Sequence, residues 1–305
     1  MSTSKPISIF YKLLSLFSVV RGYNILVLVG AQYLAAVFIF SPQKSLRFVL
    51  LDFHLFFIVF ASVCVVAAGY IINNFYDVKI DQINRPIKTN LDGFVKQQTK
   101  LEIYFLLNFL GFFSGWLVSF KAALFFAVYI FSIWLYSHKL KKHPFIGLLF
   151  VTVLTILPFF AVFLYYKNFS KIIFIHATFL FLVLLLRGLI KDLENIRGAI
   201  GNNYTTFPVK YGERKTRKLG IVIILSTLIP AVVLLLDPSI GYMSYYFYFS
   251  LFTLIFIAFF LWKANLRNQY VLLHNVLKIL LLLGILSLLF IDPSVVVERV
   301  IDRLN

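Results

Sequence analysis

Long apolar runs, each closed by a short polar loop, follow one another along most of this chain. They fall at roughly 20–40, 49–72, 101–119, 121–137, 145–165, 171–190, 218–236, 243–262 and 271–291. A helix of about 17–25 apolar residues crosses the hydrocarbon core of a bilayer. Lipid offers no partner to backbone amides and carbonyls, so only helices or closed barrels can span it. The runs are continuous in Leu, Ile and Phe and lack the alternation of barrel strands. The expectation is an all-α, polytopic membrane protein. It has about nine transmembrane helices in a bundle around a central cavity, with residues 1–305 as a single domain. The third and fourth runs are separated only by a short hinge around Lys121.

Charge orients such a bundle. The net charge of +17 does not form a basic stripe; it sits in the short loops, which argues against nucleic acid as a partner. Of 29 Lys and Arg, Arg21 near the end of the first span and Lys278 inside the ninth are set aside. Twenty of the others fall on the side of the N-terminus and seven on the far side: Lys44, Arg47, Lys121, Lys167, Lys171, Arg299 and Arg303. The positive-inside rule then places the N-terminus in the cytoplasm. Cys64 has no cysteine to pair with and reads as a small buried hydrophobe. The first run, behind Lys5 and Lys12, is too long for a signal peptide and reads as a retained span.

Two loops on the basic side are long, polar and mixed in charge, at 73–100 and 191–217. If the second helix continues into the first loop, Asn73, Asp77 and Asp81 stand at i, i+4 and i+8 on one face. Such a hard-oxygen surface suits Mg²⁺, which takes one or two carboxylates together with substrate phosphates. A solvated helix end, its acids paired with Lys79 and Arg85, has the same composition. In the second loop Asp192 and Asn195 share a face, and Lys191 and Arg197 supply cations beside them. Two such clusters at one membrane face would enclose a metal-bridged diphosphate.

The stretch Asn73 to Asp81, followed by Gln82-Ile83-Asn84-Arg85-Pro86, resembles the first aspartate-rich motif of the UbiA superfamily, N-D-x-x-D-x-x-x-D. Lys191-Asp192-Leu193-Glu194-Asn195 through Thr206-Phe207-Pro208-Val209 resembles the second. Arg21-Gly22-Tyr23-Asn24 and Tyr136-Ser137-His138-Lys139-Leu140-Lys141 agree as well, so the likeness runs to about residue 212. The resemblance implies an Mg²⁺-dependent prenyltransferase of a prokaryotic inner membrane, with its active site facing the cytoplasm. Its substrates would be a polyprenyl diphosphate and a lipid-soluble acceptor. Carried onto this chain, it implies Asp77, Asp81, Asp192 and Lys191 as catalytic, and Asp77, Asp81, Asp192 and Asn74 as metal ligands. Asn24, Asn73, Asn74, Arg85, Tyr136, Lys139, Lys141, Asn195 and Arg197 would bind substrate.

Three positions depart from the family pattern. Asn74 stands where the first motif has an acid, and Asn195 and Ala199 replace acids of the second. The acceptor resembles, by a small margin, that of the branch using a prenylated glycerol phosphate; quinone-precursor and chlorophyll-type aromatic acceptors share much of the pattern. A degenerate lipid-binding member and a transporter are the competing classes. A transporter would place charge near the midplane and break helices in two repeats, whereas the acids here gather at one face. The five histidines are scattered and do not form a ligand set. Lys278, with His274 one turn before it, is either an intramembrane functional charge or a snorkelling one.

Overall fold

The computed structural model describes residues 9–291, so Lys5, Arg299 and Arg303 lie outside the described residues. Within them every regular element is helical. A short α1 (Ile9–Val19) precedes α2 (Gly22–Ala35), which runs on as a wider π turn, Ala36–Phe40. Then come α3 (Leu46–Leu50), α4 (Phe53–Asn84), α5 (Pro86–Asp92), α6 (Gln97–Val118), α7 (Phe120–His138) and α8 (Pro144–Tyr166). The second half holds α9 (Lys171–Glu194), α10 (Ile196–Gly201), α11 (Phe207–Tyr211), α12 (Glu213–Leu235), α13 (Ser244–Lys263) and α14 (Arg267–Ser287). Nine of these helices, α2, α4, α6–α9 and α12–α14, are long and apolar enough to cross a membrane among the described residues. They match the nine runs expected from the sequence.

The boundaries have local causes. Ser119 adopts an extended conformation (φ −174°, ψ 161°), and its side chain accepts a hydrogen bond from the Ala122 amide. That N-cap separates α6 from α7 just before Lys121. Asp52 caps α4 in the same way, accepting from the His54 and Leu55 amides. At 1.5 Å per residue, the 32 residues of α4 span roughly 48 Å, well beyond a ~30 Å hydrocarbon core. The excess lies at its C-terminal end, where Asn73, Asp77 and Asp81 follow the apolar stretch, and the helix stops at Arg85 before Pro86.

Close approach and buried polar ties hold the bundle. A Cβ on Gly111 of α6 would meet Val65 of α4 at 2.7 Å, and one on Gly220 of α12 would meet Leu261 of α13 at the same distance. Pro158 inside α8 has no amide hydrogen to give the Leu154 carbonyl. The Tyr129 hydroxyl of α7 donates to that carbonyl at 2.9 Å. Gln32 of α2 donates to Ser62 Oγ of α4 at 3.1 Å and to the Pro158 carbonyl at 2.9 Å. The large side chains left exposed on the outside of the helices, such as Phe105, Phe109, Phe252 and Ile229, suit lipid as their solvent.

Candidate active site

A cavity of about 850 Å³ runs down the middle of the bundle, walled by α2, α4, α7, α8, α9 and α14 with the start of α13 at its far end. Among the described residues α6 and α12 contribute nothing to its wall. At one end its lining is polar and basic, with Arg21, Asn24, Tyr70, Asn73, Tyr136, Lys141, Arg187, Lys191, Asp192 and Lys278. Towards the other end the wall turns apolar and aromatic, with Leu148, Leu154, Phe159, Phe179 and Phe247. The amphipathic character comes from helices that leave the apolar zone at the same end and carry their polar turns there.

At that end Lys141 is the central side chain. Its Nζ donates to Asp77 Oδ1 at 2.6 Å and to Asn73 Oδ1 at 3.3 Å, joining the 140–142 turn to α4. The Tyr204 hydroxyl donates to the same Asp77 oxygen at 3.4 Å, and the Lys141 ammonium lies 5.5 Å and 5.7 Å from the Tyr76 and Tyr204 ring centroids. Burial pushes the Lys141 ammonium below its ordinary value, while the carboxylate of Asp77 pulls it back up. Burial, with Asp77 beside it, raises the Tyr204 phenol. The turn is held from outside: the Thr205 amide and hydroxyl both donate to the Lys142 carbonyl, at 3.1 Å and 2.7 Å. From inside it rests on Gly147, where a Cβ would come within 2.9 Å of the Leu140 carbonyl oxygen.

Asp192 and Lys191 reach the cavity from the last turn of α9, and neither makes a side-chain hydrogen bond or salt bridge among the described residues. Four other lining side chains hold buried polar atoms without a partner: Ser137 Oγ, Arg187 Nε and Thr206 Oγ1 here, and His176 Nε2 near the other end of α9. Arg21 stacks over the Tyr70 ring, 5.0 Å from its centroid, and Asn24 donates to the Tyr70 hydroxyl at 3.4 Å. Unpaired buried polar atoms are costly, so this end of the cavity is built to receive an anionic, hydrogen-bonding group. Among the described residues no three His, Cys, Asp or Glu side chains converge as a metal cage.

The structure thus gathers Asn24, Asn73, Tyr136, Lys141, Lys191 and Asp192 on the cavity wall. Asp77 stands behind Lys141, and Asp81, half buried one turn further along α4, lies in electrostatic range of Arg85, Arg21 and Lys88. The other residues named from the sequence are placed elsewhere. Asn74 turns away into a buried knot: its Nδ2 donates to Asp92 Oδ2 at 3.0 Å, and Lys100 Nζ donates to its Oδ1 at 3.2 Å. Arg85 pairs with Glu194 at 3.4 Å. The side chain of Asn195 donates back to the Lys191 carbonyl at 2.9 Å, and Lys139 and Arg197 are exposed. Three further residues escape sequence reasoning: Thr206, within the second motif, and Arg187, just before it, line the cavity, and Tyr204 reaches Asp77 behind Lys141.

The sequence profile of the UbiA prenyltransferase family matches residues 24–282, which holds every element of this cavity apart from Arg21, Tyr23 and the far rim. The chain belongs to the UbiA prenyltransferase family. It is a prenyltransferase and, with its nine apolar helices, an integral membrane protein. Among this UbiA protein's relatives, digeranylgeranylglyceryl phosphate synthase of Methanosphaera stadtmanae is 29% identical over 203 residues, 66% of this chain and 70% of that one. The synthase of the same name from Thermococcus sibiricus is 31% identical over 165 residues, covering 54% of this chain and 58% of its own. Among solved structures, one of digeranylgeranylglyceryl phosphate synthase superimposes with a TM-score of 0.70 at 19% identity, over 91% of this chain and 97% of that one. A UbiA homologue from Archaeoglobus fulgidus, bound to DMAPP and Mg²⁺, does so with a TM-score of 0.70 at 15% identity, over 91% and 98%. At these identities the structural likeness is one of fold.

Proposed function

We propose that this UbiA protein transfers a prenyl chain from a polyprenyl diphosphate to a prenylated glycerol phosphate. The observation that carries the reading is one cavity with two chemistries. Its basic end suits a diphosphate, and its apolar, aromatic body suits an isoprenoid chain. The synthases among its relatives support the acceptor class.

Lys191, Arg21 and Lys141 line the end that would neutralise the diphosphate, and the unpartnered Ser137 Oγ and Thr206 Oγ1 offer hydrogen bonds to the substrate head. The C–O bond of the allylic diphosphate breaks and the diphosphate leaves with the electron pair. Fixed donors stabilise that developing charge better than water does, because they need no reorganisation. The faces of Tyr70 and Tyr136 are placed to stabilise the allylic cation left behind. The acceptor hydroxyl oxygen then forms the new C–O bond, and its proton passes to the departing diphosphate. The apolar walls keep water from capturing the cation.

The donor set fits an Mg²⁺ ion that arrives with the diphosphate, because Asp192 is uncommitted and Asp77 and Asp81 stand nearby on α4. Among the described residues no protein-only cage forms, so Asp77, Asp81 and Asp192 would share the ion with the substrate's phosphate oxygens. When bound, the ion neutralises charge on the leaving diphosphate. The polar end of the bundle faces the cytoplasm, following the bias of Lys and Arg.

The test is transfer by the purified protein in detergent from radiolabelled geranylgeranyl diphosphate, offered glycerol-phosphate and aromatic acceptors with Mg²⁺ or EDTA. Product with the glycerol-phosphate lipid, dependent on Mg²⁺ and absent in Asp77→Ala and Asp192→Ala, is expected. Product only with an aromatic acceptor overturns the acceptor class. No product from folded protein overturns the reading.

A further inference from the structure

The cavity holds more positive charge than one diphosphate accounts for. Lys278 lies on the cavity face of α14, in line with Asn275, Ile279 and Leu282 at i−3, i+1 and i+4. It is eleven residues beyond the start of α14 at Arg267, roughly 16 Å along the helix. Its single side-chain hydrogen bond is to Asn275 Oδ1, at 3.3 Å. The charges in its electrostatic range are Arg187, Arg85 and Arg21, all of its own sign, and the carboxylate of Glu194. That carboxylate is already committed, at 2.6 Å to His274 Nδ1 and 3.4 Å to Arg85. An unpaired lysine inside an apolar bundle is costly and marks a functional position.

Arg187 repeats the pattern from α9, the helix packed directly against α14. It lines the cavity seven residues before the end of α9, and its buried Nε has no partner. Lys278 lies one turn beyond His274, which binds Glu194, the last residue of α9. Among the charges that act on Lys278, Arg187 is the strongest. Two like charges side by side on the wall of one low-dielectric cavity repel unless an anion joins them. Asp77, Asp81 and Asp192 are not among the charges that act most strongly on Lys278.

We infer that Lys278 and Arg187 form a second anion subsite in the cavity, for the phosphate monoester of the acceptor. This rests on the proposed reaction and adds which residues recognise the acceptor head and why a phosphorylated acceptor is required. Lys278 supplies a mobile ammonium, with Asn275 steering it. Arg187 supplies a fixed, always-charged donor. A neutral aromatic head leaves both charges unpaired, so the subsite discriminates against it as well as favouring phosphate.

The experiment compares wild type, Lys278→Met, Lys278→Arg and Arg187→Gln as full-length chains in detergent, with Lys44→Met at the other end of the bundle as control. Binding of geranylgeranylglyceryl phosphate and of its phosphatase-treated alcohol is measured without Mg²⁺ by native mass spectrometry. KM values for acceptor and for geranylgeranyl diphosphate are measured with Mg²⁺. Lys278→Met is expected to weaken the phosphorylated lipid roughly tenfold or more, the loss of one hydrogen bond to a charged group. The alcohol and the donor KM should not move, and Lys278→Arg should restore most of the affinity. Equal loss for phosphate and alcohol, an equal rise in donor KM, or no loss at all overturns the subsite. Wild-type turnover with an unaffected Lys278→Met sinks the subsite alone. Phosphate-selective, Lys278-dependent binding without any turnover sinks the reaction and leaves the subsite standing. If wild type does not bind the phosphorylated lipid, the subsite is overturned.

Discussion

Glu194 ties together the ends of three helices, and its removal should reveal which of its bonds carries the load. The carboxylate is 7% exposed and meets His274 Nδ1, 4% exposed, at 2.6 Å, whereas Arg85 is 30% exposed and lies at 3.4 Å. The Nε2 of His274 has no partner, so losing Glu194 leaves the buried ring with no hydrogen bond. A buried hydrogen bond to a charged group contributes about 1.5–3 kcal/mol, and an orphaned polar group costs about 1–3 kcal/mol. Arg85 keeps its water and contributes under about 1 kcal/mol. Glu194→Ala should therefore destabilise by about 3–4 kcal/mol, within the range for breaking one side of a buried pair. In a double-mutant cycle, Glu194 and His274 should couple by about 2 kcal/mol, and Glu194 and Arg85 by under about 1 kcal/mol. The assay is reversible unfolding in mixed detergent micelles for the four members of each cycle. Additivity with His274→Ala, or stronger coupling to Arg85 than to His274, would refute the reasoning.

Asn74→Asp, which brings this position back to the family's acid, should not raise Mg²⁺ affinity. It sets a carboxylate against Asp92, partly offset by Lys88 and Lys100, and should cost about 1–3 kcal/mol, read as a lower melting temperature with an unchanged Mg²⁺ titration. Lys141 should impose an alkaline limb on kcat/KM. Burial favours the neutral amine, so the charge is lost as pH rises through a value below the ordinary 10.5, and Lys141→Arg should move that limb to higher pH. Gly147→Ala should lower kcat/KM by about tenfold or more without unfolding the protein, because the new Cβ meets the Leu140 carbonyl and the Lys141 Cα and must displace the turn that aims Lys141. Unchanged kinetics would show that the turn tolerates the shift.

The nine helices and the basic end of the bundle were legible in the sequence, because a bilayer imposes a length and a polarity that any apolar run displays locally. The Asn73, Asp77 and Asp81 face was legible for the same reason, as a helical period needs only one helix. What lay beyond the sequence depends on contacts between distant segments. Asn74 reads as a member of the motif, but Asp92 and Lys100 claim its side chain. Arg85 reads as a phosphate binder, yet it is drawn to Glu194, 109 residues away. Arg187 and Thr206 stand beside and within the second motif, but nothing in the sequence shows that their side chains line the cavity or that Tyr204 reaches Asp77, 127 residues away. Lys278 carried two readings, a snorkelling lysine or a functional one, and its neighbours rather than its depth favour the second. Hydropathy is a property of each segment by itself. Which polar atoms find partners and which are left facing a cavity is a property of the packed bundle.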